Sequence, residues 1–134
     1  MTAGPRRHFY AAMAVFVFFF LIVSCDSGTK EPAVVSGDVR VGLDTYPSPP
    51  VALKTTNFLV RLVGADGAPV AGAEVVLDLS MPGMYHGENR PPCRHTGEGE
   101  YLCQGYLVMG GLWEVAVEVN GSRMKTIRLD VLDQ

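Results

Sequence analysis

The chain has 134 residues, with 11 Lys and Arg against 14 Asp and Glu and a formal net charge of −3. That length accommodates a single domain with its own core. A mildly acidic chain without a Lys/Arg cluster lacks the electrostatic footprint of a nucleic-acid-binding protein, so no nucleic-acid partner is expected.

In chain order, the first element is the apolar run "FYAAMAVFVFFFLIV" at residues 9–23, preceded by Arg6 and Arg7 and closed by Ser24-Cys25. A charged start, about 15 apolar residues and a small-residue exit make the layout of a secretory signal. The run is shorter than the roughly 18 apolar residues expected of a spanning helix, although an uncleaved N-terminal anchor helix is the alternative. Both readings put the remaining chain outside the cytoplasm, because the arginines stay inside. The exit "IVSC" resembles the bacterial lipobox. That resemblance implies removal of residues 1–24 as a lipoprotein signal peptide and lipidation of Cys25, with anchorage to a bacterial membrane, on its periplasmic face in a Gram-negative cell. Asp26 resembles the enterobacterial signal for retention in the inner membrane. Residues 25–36, the cysteine followed by "DSGTKEPAVVS", read as a flexible tether to a domain at 37–134.

Beyond the tether, short alternating runs separated by Gly, Pro and Asp turns follow the all-β pattern, with no helical periodicity. Residues 37–43 form a first candidate strand, followed by the rigid loop "TYPSPP". A second strand is predicted over 55–63, and a third over 73–80 with Ala73, Val75, Leu77 and Leu79 on one face. A cysteine hairpin follows and runs to residue 108. The run "LWEVAVEV" then turns at Asn120-Gly121 into "SRMKTIRLDVL", and Asn-Gly between alternating runs is a strong hairpin signal. Trp113, Val115, Val117 and Val119 would share a face with Ile127, Leu129 and Val131, leaving Glu114, Glu118, Arg128 and Asp130 in solvent. About seven strands spaced by turns predict an antiparallel Ig-like β-sandwich.

With Cys25 assigned to lipidation, Cys93 and Cys103 remain, and an even pair in an exported chain points to a disulfide. The stretch "CRHTGEGEYLC" is symmetric about Glu98. A three-residue loop Gly97-Glu98-Gly99 would pair Thr96 with Glu100, His95 with Tyr101 and Cys93 with Cys103, close enough for a bridge. A dithiol copper site is the competing reading, and it requires the pair to stay reduced. A thiol-redox protein is disfavoured by the lack of a C-x-x-C motif and of a helix N-terminus to lower a thiol pKa.

No enzymatic activity is expected. The chain has no nucleophile elbow and no phosphate loop, and its carboxylates sit at turns or on solvent-facing positions. The methionines are more informative: Met81 and Met84 flank Pro82-Gly83, His86 lies two residues beyond, and Met109 opens the turn "MGG" before Trp113. Thioethers select soft Cu(I), and an imidazole completes such a sphere. A tight turn at Pro82-Gly83 would project both sulfurs. The alternative is that Met81 and Met84 fill gaps at a sandwich end, with His86 a turn residue and the domain a non-catalytic structural or protein-interaction module. His95 reads as a surface residue, Trp113 as the core aromatic, and Tyr85 as packing or rim.

The order of four elements over residues 66–119 resembles the YtkA-like domain family: G-x-P-V-x-G-A-x-V at a strand start, M-P-x-M-x-H, a G-x-Y strand, and M-x-G-x-W. The resemblance implies an exported, often membrane-tethered Ig-like sandwich associated with copper handling. Related FixH-like proteins are linked to assembly of copper-containing respiratory oxidases. Position by position it assigns Met81, Met84 and His86 to the M-P-x-M-x-H segment and Met109 to the methionine before the tryptophan strand. It implies Cu(I) as the metal and a copper-donating or copper-accepting membrane protein as partner. Cys93, Cys103 and the lengthened "YHGENRPPCRHT" with Pro91-Pro92 depart from the family pattern.

Overall fold

Alternating apolar and polar residues fold as strands when the apolar set can turn to one side, and here that set closes two sheets on each other. The computed structural model describes residues 38–134. The expectations for the signal segment, Cys25 and the tether therefore lie outside the described residues. Seven strands follow in order: β1 (Arg40–Tyr46), β2 (Thr55–Val63), β3 (Val75–Ser80), β4 (Cys93–Gly97), β5 (Glu100–Tyr106), β6 (Gly111–Val119) and β7 (Ser122–Val131). They form a four-stranded sheet, β1-β2-β5-β4, and a three-stranded sheet, β3-β6-β7. All strand pairs are antiparallel. This is the strand order of a constant-type Ig sandwich, and it bears out the expected fold class. Phe58, Val60, Leu62, Tyr101 and Cys103 from the first sheet meet Val75, Leu77, Leu79, Trp113, Val115 and Val117 from the second in a fully buried core.

Strand boundaries differ from expectation where a partner sets them. β1 starts three residues later than predicted, because Arg40 is the residue that reaches Val63 at the end of β2. β3 starts at Val75 because the Ala73 amide is taken by the Tyr101 hydroxyl at 3.1 Å and not by a neighbouring strand. In the cysteine hairpin, Cys93 lies opposite Cys103 and His95 opposite Tyr101 as expected, but Glu100 pairs with Gly97 across a bulge that passes over Thr96. The three-residue loop is corrected to a two-residue one: Glu98 (φ 46°) and Gly99 (φ 75°) form the tip, as the twist of a two-residue hairpin requires. The Asn120-Gly121 turn has the same signature, with φ of 50° and 77°. β6 and β7 put Trp113 opposite Leu129 and Val115 opposite Ile127 on the expected shared face, through a register shift between Val117 and Glu118.

Two ends result. At one lie the start of β1, the β2–β3 connection and both positive-φ hairpin tips. Here the Tyr101 hydroxyl donates to the Val70 carbonyl at 2.9 Å and fixes the β2–β3 connection. Gly99 leaves no room for a side chain: a Cβ there would stand 2.6 Å from the Leu62 carbonyl oxygen. The G-x-P-V-x-G-A and G-x-Y elements thus meet at this end and hold the fold together. The opposite end carries residues 81–88, the β5–β6 connection and the tail beyond β7.

The segment between these loops and β4 runs along the open edge of β3. The Asn89 and Pro91 carbonyls accept the Leu79 and Leu77 amides at 2.9 and 3.1 Å. Pro91 and Pro92 have no N–H to offer a further strand, which is how natural edges are blunted. The chain then crosses to the other sheet as β4.

Candidate metal centre

Residues 81–84 leave β3 directly. The Met84 amide donates to the Met81 carbonyl at 3.1 Å, and Gly83 has φ 77°. Proline at the second position and a left-handed glycine at the third define a type II turn. The two methionines do not project together. Met81 turns inward and packs on the core, so that a Cβ added to Gly111 would lie 3.2 Å from its Cε. Met84 points out and is 50% exposed. The expectation that the turn projects both sulfurs outward is corrected on this point, because the turn follows a strand whose alternation carries into its first residue.

His86 is half-buried, with its ring centroid 4.8 Å from that of Trp113. Its Nε2 is buried and has no hydrogen-bond partner among the described residues. Leaving a buried polar atom unpaired costs about 1–3 kcal/mol, so a nitrogen in this state is a cost to the fold unless a ligand or a water meets it. Met109, in the β5–β6 connection, is 40% exposed. Its carbonyl accepts the Trp113 indole N–H at 3.0 Å. Trp113, itself fully buried, therefore touches both the His86 ring and the Met109 backbone. Gly111, two residues before it, makes room for Met81. His86 and Met109 thus meet this one indole, Met81 lies beside Gly111, and Met84 stands exposed on the turn that begins at Met81, all at one end of the sandwich.

Three positioning features were not foreseen: the contact of Trp113 with His86, the accommodation of Met81 at Gly111, and Asn89. The Asn89 side-chain amide donates to the Tyr106 carbonyl at 2.9 Å, tying the loop after His86 to the strand that leads to Met109. The "MGG" turn carried a signal for Gly111. Nothing local marked Asn89. Tyr85 is a rim residue, 90% exposed, and His95 is a surface residue whose ring stands 4.9 Å from Tyr101.

Charge is placed elsewhere. Arg90 binds Glu118 and lies 3.7 Å from Asp78, while Arg123 contacts Asp78 at 2.8 Å and Glu118 at 3.6 Å. This network pins the edge-covering segment to the outer face of the β3-β6-β7 sheet. It also turns Glu118, expected in solvent, into a partly covered residue. The Arg90 guanidinium is held above its ordinary pKa, first by its hydrogen bond to Glu118 and then by that carboxylate's charge. Among the described residues no three His, Cys, Asp or Glu side chains gather where they could hold a metal ion. Any metal at the methionine end would rest on thioethers and one imidazole, a donor set that suits Cu(I) and not the hard cations.

Cys93 and Cys103 are joined as a disulfide, with Cα atoms 4.2 Å apart. The dithiol copper reading is overturned, since both sulfurs are spent on each other.

A family model described as YtkA-like matches residues 34–118, more than half of the chain, and stops short of the last strand. Among curated proteins none matches in sequence. Solved structures share the fold. FdeC, an Escherichia coli adhesin, superposes with a TM-score of 0.57 at 24% identity, over 73% of this chain and 34% of that one. The Lin-41 filamin domain gives 0.55 at 14% identity, over 71% and 92% of the two chains. Invasin, a bacterial integrin-binding protein, gives 0.55 at 18% identity, over 75% and 21%. The chain thus spans about a third of the adhesin and about a fifth of invasin. At these identities the likeness is one of fold alone.

Proposed function

The chain belongs to the YtkA-like family, and from that premise we propose that it is a membrane-tethered extracytoplasmic domain that binds Cu(I) as cargo through Met81, Met84, His86 and Met109. The observation that carries the reading is the buried, unpartnered Nε2 of His86, beside the indole that also holds Met109. With its proton on Nδ1 the imidazole presents a lone pair at Nε2, and three thioethers in the same region supply soft donors without charge.

The unequal exposure of the donors suits capture and release. Met84 and Met109 stand at the surface, where an incoming ligand can reach them, whereas Met81 and His86 are held by packing. Ligand exchange of this kind needs no bond-making at carbon and no turnover, so the domain acts as a non-catalytic carrier. It would serve copper handling or oxidase assembly by passing the ion to, or taking it from, a membrane protein. Tethering rests on the N-terminal signal pattern and Cys25.

A Cu(I) competition titration tests the reading. Ascorbate would keep copper monovalent while leaving the disulfide intact, and wild type would be compared with the Met84→Leu/His86→Ala double variant. Loss of affinity in the variant is expected. Equal affinity, or no binding by the wild type, would leave the sandwich a structural or interaction module.

A further inference from the structure

We infer that Met84 and Met109 are a peroxide-sensitive modification site whose oxidation switches off metal binding while leaving the fold intact. The switching half of this inference rests on the Cu(I) reading above. A thioether lone pair that binds a soft metal is also the nucleophile that attacks a peroxide, so the same sulfur atoms answer to both. In the reaction the sulfur of methionine attacks one oxygen of hydrogen peroxide. An S–O bond forms, the O–O bond breaks, the sulfur is oxidised by two electrons to the sulfoxide, and the second oxygen leaves as water after taking up the remaining proton.

The methionines differ in their access to this chemistry. Met84 is 50% exposed and Met109 40%, whereas Met81 is packed on the core with its methyl group against Gly111. Susceptibility follows exposure, so Met84 and Met109 oxidise before Met81. The consequences differ too. A sulfoxide replaces the soft sulfur donor by a polar group, which removes it from a Cu(I) site. At Met84 the new oxygen enters solvent, since the side chain already leaves the sandwich there. At Met109 the backbone stays anchored by the Trp113 indole whatever the side chain carries. Met81, partly buried and packed on the core, is the methionine of the three that an added oxygen would press against its neighbours. The site therefore loses donors without the core losing contacts. Met124, 36% exposed on β7 far from these loops, provides an internal reference for exposure alone.

The test uses the exported domain with its disulfide intact. Metal-free protein is treated with hydrogen peroxide in the presence of a chelator, and oxidation at each methionine is followed by peptide mass spectrometry. Met84, Met109 and Met124 are expected to oxidise together, with Met81 lagging. The treated protein, still folded by circular dichroism, should bind Cu(I) and the redox-inert Ag(I) about tenfold more weakly or worse, a difference of ~1.4 kcal/mol or more. Met84→Gln/Met109→Gln, polar at both positions, should reproduce that loss without peroxide. Bound Ag(I) should protect Met84 and Met109 but not Met124. Oxidation of Met81 as fast as Met84 would overturn the inference while leaving the Cu(I) reading standing. Undiminished binding after oxidation of Met84 and Met109 would overturn the inference and also strike both from the Cu(I) ligand set. Failure of the untreated protein to bind either ion would sink both.

Discussion

The indole nitrogen of Trp113 donates to the carbonyl oxygen of Met109 at 3.0 Å while its ring lies 4.8 Å from that of His86. One buried side chain thereby joins two loops that are distant in sequence, and each of those loops carries a proposed ligand. Replacing Trp113 with Phe keeps an aromatic ring in the core and removes the N–H. The expected cost is about 1 kcal/mol for the hydrogen bond plus about 1–2 kcal/mol for the volume lost from a fully buried site, with a loss in Cu(I) affinity as Met109 loosens. Urea unfolding and competition titration on the same variant would separate the two. A drop in stability with unchanged affinity would make the indole a core residue only.

His86 offers a sharper contrast. Its Nε2 is buried without a partner, so His86→Phe should relieve a desolvation cost and stabilise the metal-free protein by about 1 kcal/mol or more. Cu(I) binding should fall at the same time. Stability and binding moving in opposite directions is the mark of a residue retained for its ligand. Thermal unfolding of the metal-free variant would reveal it, and a lower melting temperature would show that the nitrogen serves the fold.

Tyr101 makes the complementary case at the other end. Its hydroxyl donates to the Val70 carbonyl and accepts from the Ala73 amide. Tyr101→Phe should cost about 1–3 kcal/mol, since it strips two backbone groups of their partner, and should leave Cu(I) affinity unchanged. Altered affinity in this variant would mean that the two ends are coupled.

The bridge between Cys93 and Cys103 closes a loop with a sequence separation of 10. By chain-entropy arithmetic, removing it in a Cys93→Ala/Cys103→Ala variant costs about 3 kcal/mol. Denaturant melts of the oxidised wild type and the variant check the magnitude. Thiol labelling of the untreated protein should find neither cysteine free. Because the bridge joins neighbouring strands and contributes no donor, Ag(I) affinity of the folded variant should match that of wild type.

Much of this was legible because it is local. Alternation fixed which residues of β3, β6 and β7 face inward, and Asn120-Gly121 and Pro82-Gly83 fixed two turns through the backbone angles that those residues favour. The symmetry of residues 93–103 placed the cysteines opposite each other, although the bulge over Thr96 was invisible, since it depends on how Gly97 and Gly99 share the turn. The start of β1 depends on the far end of β2, and the start of β3 on a tyrosine 28 residues away from Ala73. Such pairings leave no mark on the segment they displace. At the candidate centre the donor types were readable from composition. Their inward or outward aim was not, because it is decided by the sandwich edge and by the indole across from it. Within the stretch at residues 85–96 that departs from the family pattern, Asn89 and Pro91 proved to cover an edge, a role that only the unpaired flank of β3 could reveal.

The two ends of the sandwich also set a reach. β1 starts at the end opposite the methionines, and a nine-residue strand such as β2 measures roughly 30 Å. A tether over residues 25–36, fully extended at ~3.3–3.6 Å per residue, adds up to ~40 Å. A domain held by Cys25 would therefore carry its methionines on a boom, sweeping a hemisphere of ~70 Å radius at full stretch. On the proposed anchorage, a partner standing well clear of the bilayer would fall within that sweep, and shortening residues 25–36 would shrink it without touching a single donor.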